Sequence, residues 1–212
     1  MKAVCSGVLG SVLLLLSAGA GHAAAVFGVE LGDDIDRYRF ESPAVSVRHE
    51  LKMYEVVPPH PDSRFDTYAV DTHHGRIVRI MASSVNDRTP DAMHTLAVLR
   101  DLKQSLMERY GPPSLALGEI EDAGDELRDH LVDEGGMEVL EWDFVQERPE
   151  ELGAVYVFLA GTVDENGTGA SYCTLYMESP DYAELSEEAR LHEEGGADMP
   201  TPQDPAASSP LQ

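Results

Sequence analysis

Hydrophobic and polar residues alternate along much of this chain with the two-residue period of β-strands. The segments with this pattern are residues 45–57, 65–70, 76–82, 140–144 and 170–178. Within the third segment, Val78 and Ile80 share one face. Residues 154–162 are almost wholly apolar, which predicts a central strand buried on both sides. The Asn166-Gly167 pair predicts a tight hairpin turn before the last strand.

A helical period replaces this alternation over residues 90–110. Thr89 is a suitable N-cap, Pro90 fits the first helical position, and Gly111 provides the stop. The apolar stripe of this helix consists of Met93, Leu96, Ala97, Leu99, Leu102, Leu106 and Tyr110. Two further helices are predicted, over residues 122–133 and from residues 179–181 to about residue 192.

The order of these elements, strands then a helix in each half, predicts an α+β fold. We expect a single domain over residues 26–192, with an antiparallel sheet and the helices packed on one face. Residues 193–212 are rich in Gly, Pro, Ser and Ala, so this tail is predicted to be disordered.

Residues 1–25 have the pattern of a secretory signal peptide. Lys2 is the only charged residue before Glu30, an apolar run is centred on residues 12–16, and small residues follow. The run is too short for a convincing membrane span, and no cysteine follows it for lipid attachment. We therefore predict a periplasmic or secreted protein without a stable membrane anchor, cleaved near Ala23 to Ala25.

The chain is strongly acidic, with a formal net charge of −24. Removing the predicted leader leaves 39 acidic residues against 14 basic ones, a charge of about −25. Such a surface repels nucleic acid and anionic lipid, and it favours a cationic partner protein, a polyamine or a divalent metal. Solubility or adaptation to salt is the favoured explanation of this charge. The sequence leaves the oligomeric state open.

Cys173 is the only cysteine after the predicted leader, so no internal disulfide can form. Cys173 and Leu175 are two residues apart and share one face of a predicted strand, so an inert thiol in the core is predicted. Strand spacing likewise favours core positions for Trp142, Tyr172 and Tyr176 over a pocket lining.

Several histidines offer a candidate metal site. They are His60, His73 and His74, with Asp62, Asp66 and Asp71 near them in the sequence. Imidazoles and carboxylates bind zinc and other divalent metals, but this spacing matches no standard motif. Adjacent histidines on a tight turn tend to point apart, so solvated turn histidines are the favoured interpretation.

Other signatures are incomplete or absent from the sequence. Asp164, Asn166 and Thr168 resemble the start of a calcium loop, but Leu175 stands where a bidentate Glu is required, so a hairpin turn is favoured. The sequence contains no nucleophile elbow, phosphate-binding loop or zinc-protease motif. It therefore assigns no catalytic residue, no cofactor and no metal ligand.

Four short segments carry a resemblance: FGVELG at residues 27–32, PPHPDSRFDTYAV at 58–70, GRIVRIMA at 75–82 and LMERYGPP at 106–113. Together with the leader, they resemble small secreted proteins of Gram-negative bacteria with no assigned activity. The LG start and the YGP stop are also similar to small envelope modules of the outer-membrane assembly lipoprotein and β-lactamase-inhibitor-like type. This resemblance implies a non-enzymatic α+β scaffold and transfers no functional residue.

The sequence thus predicts an exported, non-catalytic binding or envelope-interaction module. The contact would be made by the sheet face or by a loop such as residues 58–62. The alternative is a metal-binding protein or a metal-dependent hydrolase that uses His60, His73 and His74.

Overall fold

The structure, a computed structural model, describes residues 25–40, 44–116, 127–144, 152–164 and 166–196. Its strands are β1 (Ala25–Val26), β2 (Val29–Glu30), β3 (Arg39–Phe40), β4 (Ser46–Arg48), β5 (Leu51–Val57), β6 (Phe65–His73), β7 (Arg76–Ser84), β8 (Leu115–Ala116), β9 (Met137–Asp143), β10 (Ala154–Val163) and β11 (Gly169–Glu178). Its helices are α1 (Met93–Tyr110), α2 (Leu127–Glu134) and α3 (Tyr182–Gly196), with a 3-10 turn at Ile35–Arg37. Of the predicted signal peptide (residues 1–25), residues 1–24 lie outside the described residues, and so do residues 197–212 of the predicted tail.

Among the described residues, nine strands form one antiparallel sheet in the order β3-β5-β6-β7-β11-β10-β9-β8, with β4 also paired to β5. Two meanders, β5-β6-β7 and β9-β10-β11, come from the two halves of the chain. They are joined where β11 pairs with β7, with Thr174 opposite Ser83. The predicted α+β fold with an antiparallel sheet and packed helices is therefore confirmed.

The helices divide between the two faces of this sheet, whereas the sequence predicts them on one face. Helices α1 and α2 place Leu102 and Leu131 in the main core, against the side chains of Val157 and Leu175. Helix α3 instead forms a smaller cluster on the other face, which includes Leu51. The sequence could not distinguish these arrangements, because a strand's two faces become different only when its neighbours are known.

Helix α1 begins at Met93, three residues later than the sequence predicts. Ala92 has a left-handed φ of +50°, which interrupts helical geometry before that point. The carboxylate of Asp87 accepts hydrogen bonds from the backbone N–H groups of His94 and Thr95, at 2.6 and 3.3 Å. A residue six positions ahead of the helix therefore caps it.

The buried stripe of α1 differs in part from the predicted one. It consists of Thr95, Val98, Leu99, Leu102 and Leu106. Met93, by contrast, is exposed. The end of the helix follows the prediction, because the N–H of Gly111 donates to the carbonyl of Met107.

Helix α2 packs closely on β10 because Gly161 has no side chain. A Cβ atom at this position would lie only 2.3 Å from the backbone nitrogen of Val132. The helix begins at Leu127, and the predicted start at residue 122 lies outside the described residues. Helix α3 continues to Gly196, past the predicted end at residue 192. Within the described ranges, none of the helices has the length and hydrophobicity needed to cross a membrane.

Candidate functional site

The second face of the sheet combines aromatic rings with carboxylates. Residues directly opposite on paired strands share a face, so the pairings Tyr176–Tyr156–Glu141 and Thr174–Phe158–Glu138 form two rows across β11, β10 and β9. A third row runs Asp71–Arg79–Glu178 across β6, β7 and β11. We call this surface the tyrosine face, defined by Asp71, Arg79, Glu138, Glu141, Tyr156, Phe158, Tyr172, Tyr176 and Glu178.

The aromatic rings of the tyrosine face are only half-buried. Tyr156 and Tyr176 stack with ring centroids 4.6 Å apart and an interplanar angle of 14°. Phe158 lies in the next row, and Tyr172 pairs with Ala160 beyond it. The aromatic area is therefore continuous over β10 and β11.

The carboxylates on this face lie in a partly desolvated environment. Burial raises the pKa of Glu178, although the hydroxyl of Tyr156 donates to its Oε1 atom at 2.8 Å and opposes this effect. Burial also raises the pKa of Glu138, and the negative charge of Glu141 adds to the increase. An added cation would therefore stabilise these groups in their ionised form.

Arg79 is the cation at one end of the tyrosine face. Its Nη2 atom lies 2.6 Å from the Oδ2 atom of Asp71, whereas its Nη1 atom is 3.8 Å from Glu178. Burial would lower the pKa of this guanidinium, but Asp71, Tyr182, Tyr156 and Glu178 together outweigh burial, and the pKa is raised. The guanidinium carbon lies 4.5 Å from the ring centroid of Tyr182 and 5.3 Å from that of Tyr176.

A cavity of about 240 Å³ lies between α3 and this end of the face. Its lining includes three arginines and three carboxylates, which are Arg48, Arg79, Arg190, Asp71, Glu187 and Glu193. These charges balance, so the cavity itself has no strong preference for an anion or a cation. Tyr182 closes one side, and its hydroxyl donates to Asp71 at 2.9 Å.

A second cluster lies at the tips of two neighbouring hairpins. The Nε2 atoms of His73 and His74 are 3.1 and 3.3 Å from the same Oε2 atom of Glu50. The adjacent histidines do not point apart, because His74 has a left-handed φ of +50° that turns its ring towards His73. A hydrogen bond from His73 and the charges of His74 and His49 lower the pKa of Glu50.

His60 does not join this cluster. It follows the opposite end of β5, since Leu51 pairs with His73 and Val57 lies six residues away, about 20 Å at the rise of a strand. The backbone N–H of His60 donates to the carbonyl of Phe27 at 2.9 Å. The structure therefore brings together two of the three histidines from the sequence-based set.

The nearby aspartates pair with arginines and polar groups instead. Asp62 is buried and forms a 2.7 Å ion pair with Arg64, while Tyr68 donates to its backbone carbonyl. These bonds hold the loop at residues 58–62, which the sequence suggested as a contact surface, against the sheet. Asp71 belongs to the tyrosine face, and Asp66 is exposed on β6.

The sequence predicts core positions for Trp142, Tyr172 and Tyr176, and only Trp142 occupies one. Trp142 is buried in the core, where its indole N–H donates to the carbonyl of Gly111 at 3.0 Å. Tyr172 and Tyr176 lie on the opposite, half-buried face. Tyr156 and Phe158 alternate with valines, which indicates an aromatic face. Because the whole strand is hydrophobic, the sequence alone did not distinguish this face from the core.

Within the part of the chain that the structure describes, the candidate sites are thus the tyrosine face and the Glu50–His73–His74 cluster. Neither has a nucleophile held by an adjacent base. No protein-family model, curated protein or solved structure matches this chain.

Proposed function

We propose that this chain is an exported, non-catalytic binding protein whose tyrosine face holds a basic segment of a partner protein. The observation that carries this proposal is the placement of half-buried aromatic rings and carboxylates on one continuous sheet face. Lysine and arginine side chains suit such a surface, because their stems pack on rings and their charges pair with carboxylates.

The chain's own arginine provides an example of this chemistry. Arg79 lies against the rings of Tyr176 and Tyr182 while it pairs with Asp71. Towards β9 and β10, the same face presents rings beside Glu138 and Glu141. A partner's arginine placed over Tyr156 would repeat the arrangement of Arg79 two strands away.

Charge argues against other occupants of this face. Residues 117–126 and 197–212 of this chain are acidic and contain neither Lys nor Arg, and residues 145–151 contain three Glu and one Arg. A second copy would bring a charge of the same sign, since the chain without its leader carries about −25. Nucleic acid and anionic lipid are repelled for the same reason. A basic partner gains the most from this surface.

A defined peptide tests the proposal. A labelled peptide rich in Arg and Lys is titrated with the protein by fluorescence anisotropy, and a Glu-rich peptide of equal length serves as the negative ligand. We expect binding of the basic peptide that weakens as sodium chloride is raised. The double variant Glu138→Gln, Glu141→Gln should weaken it about fivefold or more.

The matched control is the double variant Asp133→Asn, Glu188→Gln. It removes the same net charge from exposed positions on α2 and α3. If both double variants weaken peptide binding equally, the attraction comes from overall charge and the tyrosine face is not the site.

Export is a separate part of this proposal. The leader pattern of residues 1–25 supports it, and intact-mass analysis of the protein in periplasmic and culture fractions tests it. We expect a mature N-terminus between residues 24 and 26. Full-length protein confined to the cytoplasm would contradict export.

A further inference from the structure

The tips of two hairpins meet beside the sheet, and they place three metal-ligating side chains together. Because Leu51 pairs with His73, the two-residue turn His49-Glu50 lies next to the turn that begins at His74. His49 and His74 both have a φ of +50°. At these turns, His73 and His74 of the β6–β7 hairpin meet Glu50 of the β4–β5 hairpin.

The geometry points to a binding site for one divalent transition-metal ion, with Glu50, His73 and His74 as ligands. Their ligand atoms all lie within 4.8 Å of one another. Two of the separations are 3.1 and 3.3 Å. Ligands about 2.0–2.1 Å from a tetrahedral zinc ion are about 3.3–3.4 Å apart, so an ion fits with small side-chain movements.

The donor set selects the class of ion. Two imidazoles and one carboxylate suit Zn²⁺, Ni²⁺ or Cu²⁺, whereas Ca²⁺ and Mg²⁺ prefer oxygen ligands only. Three protein ligands leave a fourth position for water or for a further group. The net negative charge of the chain also raises the local concentration of divalent cations.

Two of the positive groups beside the cluster have partners of their own. Arg76 lies opposite His73 in the strand register of the hairpin, but its Nη1 atom donates to the carbonyl of Gly32 at 3.1 Å. His49 stacks on His192 of α3, with ring centroids 3.8 Å apart and an interplanar angle of 12°. This pair connects the metal-binding turn to α3, so an ion bound at Glu50 would also affect the end of that helix.

Isothermal titration calorimetry on the purified, EDTA-treated and dialysed protein tests this site, with zinc chloride as the probe. We expect one Zn²⁺ per chain, and weaker binding by about tenfold or more in Glu50→Gln, His73→Gln and His74→Asn. Asn is chosen at His74 because it tolerates a left-handed backbone. His60→Gln and His130→Gln are the matched controls, and both should bind as the parent does.

A second readout locates the ion. Zn²⁺ should shift the imidazole NMR signals of His73 and His74 before those of His60. Absence of a stoichiometric binding event would show that the cluster is held by hydrogen bonds alone, and this result overturns the site. Binding of many ions that Mg²⁺ or salt displaces equally also overturns it, because acidic residues then bind cations diffusely. The basic-peptide titration is independent, so its failure leaves the metal result unchanged.

Discussion

Arg79 and Asp71 form a 2.6 Å ion pair between adjacent strands, directly beneath the first turn of α3. The same Asp71 oxygen accepts a hydrogen bond from the hydroxyl of Tyr182, so one carboxylate binds both Arg79 and the first residue of α3. The side chain of Asp71 is only 8% exposed, and that of Arg79 is 20% exposed. This pair therefore links the tyrosine face to the cavity under α3.

Replacing Arg79 by Met should destabilise the protein by about 3 kcal/mol, because it leaves the buried Asp71 without its cation. Urea unfolding at neutral pH measures this loss. The matched variant Arg190→Met removes an arginine from an exposed pair with Glu187 and should cost about 1 kcal/mol or less. Equal effects of the two variants would contradict a structural role for the Arg79 pair.

Asp87→Ala should lower the free energy of unfolding by about 2 kcal/mol, since it removes the cap of α1. Burial alone would raise the pKa of Asp87, but the donors of Thr89, Thr95 and His94 lower it. A lowered pKa contributes stability above the unfolded value, about pH 4, and this stability is lost as the pH falls through the folded value.

The parent should have a larger free energy of unfolding than Asp87→Asn, and this difference should shrink as the pH is lowered from about 5 to about 2. Urea unfolding across this range measures it, with Asp91→Asn near the same helix end as the control. A constant difference between parent and Asp87→Asn would show that the charge of Asp87 does not stabilise the helix.

Gly161→Ala should destabilise the protein by about 2 to 3 kcal/mol, because the new Cβ atom overlaps the backbone of α2. Gly169→Ala, on the paired strand, is the control. The atoms nearest to its Cβ atom would be side-chain atoms of Arg128 and Val132, at 3.4 Å. Thermal unfolding of both variants compares them, and a Gly161 variant as stable as the Gly169 variant would mean that α2 can shift freely.

Cys173 should resist thiol reagents in the folded protein. Its side chain has no exposed surface, and burial raises its pKa to about 12, so little thiolate forms near neutral pH. Ellman's reagent should react rapidly after addition of urea and slowly before it. Fast reaction without denaturant would indicate that the sheet opens locally around β11.

The melting temperature should rise between low and moderate sodium chloride. Residues 26–212 carry a formal charge of about −25, which opposes the compact state, and the Debye length falls from about 30 Å at 0.01 M to about 10 Å at 0.1 M. Millimolar Mg²⁺ should raise it further at equal ionic strength. Thermal unfolding across a salt series tests this, and a flat or falling melting temperature would mean that the charges are too dispersed to strain the fold.

The sequence by itself determined most of the local structure. Alternating side chains identified the long strands, the apolar stripe and Gly111 located α1 and its end, and the buried environment of Cys173 was predictable from its neighbours. These features depend on residues close together in the chain, where periodicity and turn chemistry report directly on conformation.

Only the tertiary structure decided which residues meet. The pairing of β7 with β11 places Arg79 opposite Glu178, and the pairing of β5 with β6 places Glu50 beside His73. The cap of α1 from Asp87 likewise depends on the backbone bridge between Asp87 and Ser171 of β11, which no local pattern encodes. Strand register joins residues far apart in sequence, and shifting it by one residue would send every side chain to the opposite face, so both candidate sites exist only in the folded sheet.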